Sequence, residues 1–132
     1  MSISPSPATV LTGRRVLVVE DEAMVAMLLE DLLGALELDV AGVASSVPQA
    51  LAMLAPAGAL FDVALLDLNL RGAPGYPVAD RLAALGIPFV FCSGYGEAGL
   101  ADGYRHVPVV SKPFDLHVLA EVLAAQIKSA YP

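Results

Sequence analysis

Five short apolar runs order this chain, residues 14–19, 38–44, 61–68, 87–92 and 107–111, and each gives way to a polar or charged residue. Runs of this length without apolar/polar alternation are what strands buried on both faces look like. Between them lie segments with helical spacing. From Ala23 to Leu36, the residues Met24, Leu28, Leu32 and Leu36 recur every fourth position, with Glu30 and Asp31 marking a wetter side. Met24, Val25 and Leu28 read either as core or as a face open to a partner. Ser46 with Gln49 forms a capping-box start for a second helix to about Leu54, with Pro48 tolerated in its first turn.

Pro77 opens a third helix to about Leu85, and Gly86 supplies its left-handed cap. Asp115 caps a last helix through about Lys128, with Phe114 and Leu119 at the positions of a hydrophobic staple. Between the fourth and fifth strands stand Gly94, Gly96, Gly99 and Gly103, so a helix there is expected to be short or degenerate and the segment mobile. Five strands alternating with helices make an α/β, doubly wound parallel sheet covered on both faces. Such a sheet collects ligands beyond the carboxyl ends of its strands.

Composition narrows the possibilities further. The 132 residues are 57% hydrophobic, yet no apolar run approaches the roughly 18 residues of a membrane span. The formal charge of −7, without a basic cluster beyond Arg14 and Arg15, disfavours nucleic acid as a partner. Cys92 is the single cysteine, which excludes an internal disulfide and agrees with a cytoplasmic setting. The opening MSISPSPATVLTG lacks the cationic start and apolar core of a signal peptide, so residues 1–13 read as a flexible N-terminal tail.

The strand ends carry the chemistry. Glu20, Asp21 and Glu22 follow the first strand, Asp67 closes the third, Ser93 follows the fourth and Lys112 the fifth. Adjacent carboxylates repel, by roughly 4 kcal/mol for a pair about 4 Å apart at an effective dielectric near 20. Oxygen donors of this kind suit Mg²⁺, which neutralises them and also holds a phosphate oxygen. Lys112 and Ser93 suit the oxygens of a phosphoryl group, and Asp67 suits the nucleophile that would take it.

VLVVEDE, LLDLNL, FCSGYG and SKPF, in this order and spacing, make residues 14 to about 129 resemble a response-regulator receiver domain of the CheY-like superfamily. The resemblance implies a flavodoxin-like sheet of strand order 2-1-3-4-5, with the domain spanning residues 14–132. It implies Asp67 as phosphoacceptor, with Lys112 and Ser93 as its catalytic partners. It implies Mg²⁺ held by Glu20, Asp21, Asp67 and the backbone carbonyl of Asn69, Asp21 more directly than Glu20. The bond from Lys112 to Pro113 is usually cis in such domains.

The chain departs from the common pattern at Arg71, where proline is frequent, although Gly75 matches a later glycine. Val109 stands three residues before Lys112, where many receivers carry a switching aromatic. With Phe91-Cys92-Ser93-Gly94-Tyr95, these departures resemble the receivers called FATGUY, with Cys92 and Ser93 in place of alanine and threonine. Many of that subgroup are single-domain regulators, and one branch is fused to a sigma-like domain.

The resemblance thus implies a non-enzymatic phosphoacceptor in a two-component phosphorelay, a monomer or weak homodimer that meets a histidine kinase or phosphotransfer protein and a protein output partner. Only a few residues follow Lys128, too few for an output domain. Tyr95 and Val109 are expected modulators, with Asn69 beside them. His106 and His117 read as exposed, and Cys92 as a small core residue. Two other classes compete. A pseudo-receiver would use the same pocket for binding alone, and an aspartyl-phosphate hydrolase would need a second aspartate where Asn69 stands.

Overall fold

The computed structural model describes residues 6–55, 60–70, 72–94 and 100–132. Its main sheet contains β1 (Arg15–Val19), β2 (Asp39–Ala44), β3 (Val63–Asp67), β6 (Phe89–Ser93) and β7 (Val109–Ser111). All neighbours run parallel in the order β2-β1-β3-β6-β7. Counted within this sheet the order is 2-1-3-4-5, the expected flavodoxin-like topology. The crossovers carry α2 (Ala23–Ala35), α3 (Val47–Leu54) and α4 (Tyr76–Ala84), and α5 (Leu116–Ala130) ends the chain.

The continuous apolar runs have a direct cause in the packing. Val16, Val18, Val63, Leu65, Val90 and Cys92 face the layer of α2 and α5, together with Leu29, Leu33, Leu119 and Leu123. Their alternates Leu17, Val19, Ala64, Leu66, Phe89 and Phe91 face the layer of α3 and α4. A strand's side chains point alternately to the two faces, and here both faces are dry, so no position is left for a polar residue. Cys92 is 1% exposed, as its core reading required, and burial pushes its thiol up to about 12.

The other details of the helix starts and stops are mixed. Asp115 caps α5 by accepting from the Val118 amide at 3.0 Å, and Gly86 follows α4 in the left-handed region at φ 74°. Ser46 caps α3 through the Gln49 amide, but the Gln49 carboxamide turns to the amide and hydroxyl of Ser45, so only half of the capping box forms. Among the described residues between β6 and β7 the one helical element is the 3-10 turn Asp102–Tyr104. Arg71 lies outside the described residues, as do residues 95–99 of the glycine-rich stretch, Tyr95 among them.

Two expectations are corrected, and one element is new. From Pro7 the N-terminal segment is not a loose tail: α1 (Pro7–Leu11) is capped by Ser6 and sinks Leu11, 0% exposed, into the core beside Leu123 and Ile127. Ser6 and Pro7, read as part of a tail, are the N-cap and first-turn residue of this helix. In α2 the buried face is Ala26, Leu29 and Leu33, while Met24 is 84% and Leu28 46% exposed. A spacing of four overruns the 3.6-residue turn, so a stripe of every fourth residue slides off the core, and a helix apolar on most sides does not itself say which side faces in. After β3, a small antiparallel ladder joins β4 (Asn69–Leu70) to β5 (Ala73–Pro74), which the apolar pattern did not signal.

Candidate functional site

At the carboxyl edge of the sheet, Glu20 continues β1, its amide donating to the Ala44 carbonyl of β2 at 2.9 Å. Asp67 is the last residue of β3, paired with Cys92 of β6. Both carboxylates are buried, Glu20 to 2% exposure and Asp67 to 6%. Lys112 follows β7, and its amide donates to the Ser93 carbonyl at 2.9 Å, tying the ends of β6 and β7 together. The Lys112–Pro113 bond is cis.

The Lys112 ammonium reaches both acids, donating to Glu20 Oε1 at 3.0 Å and to Asp67 Oδ2 at 3.2 Å. The remaining oxygens are held in the same way on each side. Glu20 Oε2 accepts from the Glu22 amide and Asp67 Oδ1 from the Asn69 amide, each at 3.1 Å and each two residues further along the chain. Both carboxylates are therefore fixed at both oxygens by local backbone and one shared cation.

Electrostatics show what this arrangement lacks. Burial pushes the Glu20 carboxyl up to about 7, against the lowering pull of the Glu22 amide and Lys112, and the neighbouring Asp67 adds to the rise. Burial works against the charge of Lys112 too, but its bonds and proximity to Glu20 and Asp67 hold its pKa above the usual lysine value. Asp21 joins the group, one oxygen from each of Glu20, Asp21 and Asp67 lying within 4.8 Å of the others. With all three carboxylates ionised, one ammonium would leave an excess of two negative charges, and the raised Glu20 carboxyl shows what that excess costs without a further cation. Oxygen donors and a deficit of two positive charges fit a small hard dication such as Mg²⁺.

The other candidates are placed as follows. Ser93 ends β6, 5% exposed, beside the strand end that carries Asp67. Asn69 is exposed, and its side chain accepts from the Gly72 amide at 2.8 Å, shaping the turn between β4 and β5. Val109 is half-buried against the α3 and α4 layer, opposite Phe91. His106 and His117 are exposed, the latter 3.0 Å from Glu121. Gly75 has a tighter role than its sequence context suggested: a Cβ there would lie 2.8 Å from the Asp67 carbonyl oxygen.

Sequence reasoning missed a group of aromatics on the α4 flank. The rings of Tyr76 and Tyr104 stack at 4.3 Å, and Phe91 stands edge-on to both at 6.1 Å. The Tyr104 hydroxyl donates to Asp80. Partners 28 positions apart leave no periodic signal, and Tyr104 sat in a stretch noted only for its glycines.

Residues 16–124 match the response regulator receiver domain. The chain belongs to that family. Receiver domains are signalling domains that typically bind Mg²⁺, and the acidic cluster of this receiver domain lies where its fold collects ligands. Its fold is similar to the solution structure of SdrG from Sphingomonas melonis Fr1, at 42% identity and TM-score 0.76, over 89% of this chain and 98% of that one. The REC domain of the Erythrobacter litoralis PhyR response regulator is 32% identical with TM-score 0.68, over 90% of each chain. PhyR from Brucella abortus, at 24% identity and TM-score 0.77, shares the fold, and this receiver domain, 93% of it covered, spans 51% of that longer chain. No curated protein matches.

Proposed function

We propose that this receiver domain is a single-domain response regulator that accepts a phosphoryl group on Asp67, with Mg²⁺, from a histidine kinase or a phosphotransfer protein. The observation that carries the reading is the Lys112 ammonium shared between Glu20 and Asp67 in a pocket where Asp21 brings the carboxyl groups to three against that one cation. In the transfer, an Asp67 carboxylate oxygen bonds to phosphorus as the phosphorus–nitrogen bond of a phosphohistidine breaks, and the imidazole departs with the electron pair. Glu20, Asp21, Asp67 and the Asn69 carbonyl would hold the cation, which neutralises phosphoryl and carboxylate charge when bound. Lys112 stabilises the transferred oxygens, and the Ser93 hydroxyl takes one of them as a hydrogen-bond acceptor.

Similarity to SdrG over nearly the whole of both chains supports a regulator without a fused output domain. Output then runs through protein contacts, or the domain drains phosphate from a kinase. The FATGUY subgroup assignment, a cytoplasmic setting and Tyr95 as a modulator of water access belong to the same proposal.

Intact-mass measurement after incubation with acetyl phosphate tests it. Wild type with Mg²⁺ gains one phosphoryl group, and neither wild type in EDTA nor Asp67→Asn does. No gain from acetyl phosphate or from several phosphorylated histidine kinases would replace this reading with that of a pseudo-receiver that only binds partners.

A further inference from the structure

The 3-10 turn Asp102–Tyr104 is fastened to α4 by a reciprocal pair of tyrosines. Tyr104, on the turn, donates its hydroxyl to Asp80 of α4. Tyr76, on α4, accepts with its hydroxyl oxygen from the Ala101 amide beside the turn at 2.8 Å. Between these bonds the two rings stack with their planes 11° apart, and Phe91 of β6 stands edge-on to both. The fastening is peripheral: Asp80, Ala101 and Asp102 are exposed, whereas Leu100 and Val107 on either side of the turn are buried at 6% and 5% exposure. A short segment with fixed ends and a surface-held middle has the construction of a two-state element.

Two routes join Asp67 to this fastening. Gly75, the N-cap of α4, lies so close to the Asp67 carbonyl that a single added carbon would collide with it, and Tyr76 is the next residue. The second route runs through the sheet: Leu66 and Asp67 pair with Phe91 and Cys92, and the Lys112 amide holds the carbonyl of Ser93 at the end of the same strand. A displacement of Asp67 or of the end of β6 reaches the stacked rings from two sides. Close-packed contacts respond to such shifts by changing arrangement, since they have little room to deform continuously.

We propose that the Tyr76–Tyr104 pair is a latch, closed in the unphosphorylated protein and released when Asp67 carries a phosphoryl group, so that the turn and the Asp80 face of α4 report the state of the pocket. The inference rests on the phosphoacceptor reading of Asp67. A phosphoryl group draws Lys112 and Ser93 toward its oxygens, and the strand end that bears Ser93 also carries Phe91. Loss of the Phe91 edge contact weakens both tyrosines together.

Hydrogen exchange of the Ala101 amide in the full chain, with phosphorylation followed by intact mass in the same samples, tests the latch. With acetyl phosphate and Mg²⁺, Ala101 exchanges roughly tenfold faster or more once the mass gain is complete. Tyr104→Phe keeps the ring but removes the bond to Asp80, so its Ala101 exchanges faster even without phosphoryl donor, while its mass gain matches that of wild type. A phosphorylated wild type whose Ala101 protection is unchanged overturns the latch and leaves the phosphoacceptor reading standing. Absence of any mass gain overturns that reading, and the latch with it.

Discussion

The carboxylate pocket and the tyrosine pair on its α4 flank are built from the same kind of part: a side-chain hydrogen bond to a carboxylate from a segment far away in sequence. Lys112 crosses to Glu20 and Asp67, and Tyr104 crosses to Asp80. Their settings differ. Glu20 and Asp67 are almost inaccessible, whereas Asp80 is exposed. In the pocket no water replaces a lost partner, so each bond is costly to break; at the surface water competes and the bond is easily exchanged. One region is suited to hold a fixed geometry, the other to change.

The largest test of this contrast is Lys112→Ala, which leaves two buried carboxylates facing each other without their cation. It is expected to lower stability by about 3 kcal/mol in urea denaturation with EDTA present. A loss below about 1 kcal/mol would show the pocket to be as well hydrated as the surface and would erase the comparison.

Gly75→Ala acts where the two regions meet. Its Cβ would stand 2.8 Å from the Asp67 carbonyl oxygen, a backbone atom that can yield only by moving β3 or α4. Overpacking of this kind is expected to cost about 2 kcal/mol, read as a shifted denaturation midpoint. A neutral result would mean that α4 slides freely against the strand end, which breaks the first route to the latch.

The smallest test concerns the tyrosine pair itself. The hydrogen bond to Asp80 is the main cause that pushes the Tyr104 phenol from the usual 10.0 up to about 12, with some burial, the Asp80 charge and Tyr76 adding to it. Because the folded value lies above the ordinary one, the bond's contribution is complete below about pH 10 and is lost as pH rises through about 12. Phenolate absorbance is expected to show Tyr104 ionising late in wild type and near its usual value in Asp80→Asn. A late titration that persists in the variant would separate Asp80 from the cause.

The pocket was legible in the sequence because each of its residues follows a strand that announces itself. Glu20, Asp67, Ser93 and Lys112 are the polar stops after runs such as Val16–Val19 and Val63–Leu66, and a parallel sheet aligns those stops on one edge. The tyrosine pair was not legible, since nothing local requires Tyr76 to meet Tyr104. Nor was the inward face of α2: Met24, Leu28, Leu29 and Leu33 are all apolar, and only docking against β1 and β2 selects Leu29 and Leu33. The short helix Pro7–Leu11 was hidden for a related reason. Its cap serine and its proline resemble those of a tail until Leu11 has a core to enter.

By itself, then, the sequence determined the layered α/β fold and the set of polar groups at its carboxyl edge, because strand burial and strand order are written in runs of neighbouring residues. The tertiary structure decided the pairing of Lys112 with both acids, the contact of Gly75 with Asp67 and the docking of Tyr104 on α4. These are distances between elements, and a distance between elements depends on how whole layers pack, which no local pattern of residues encodes.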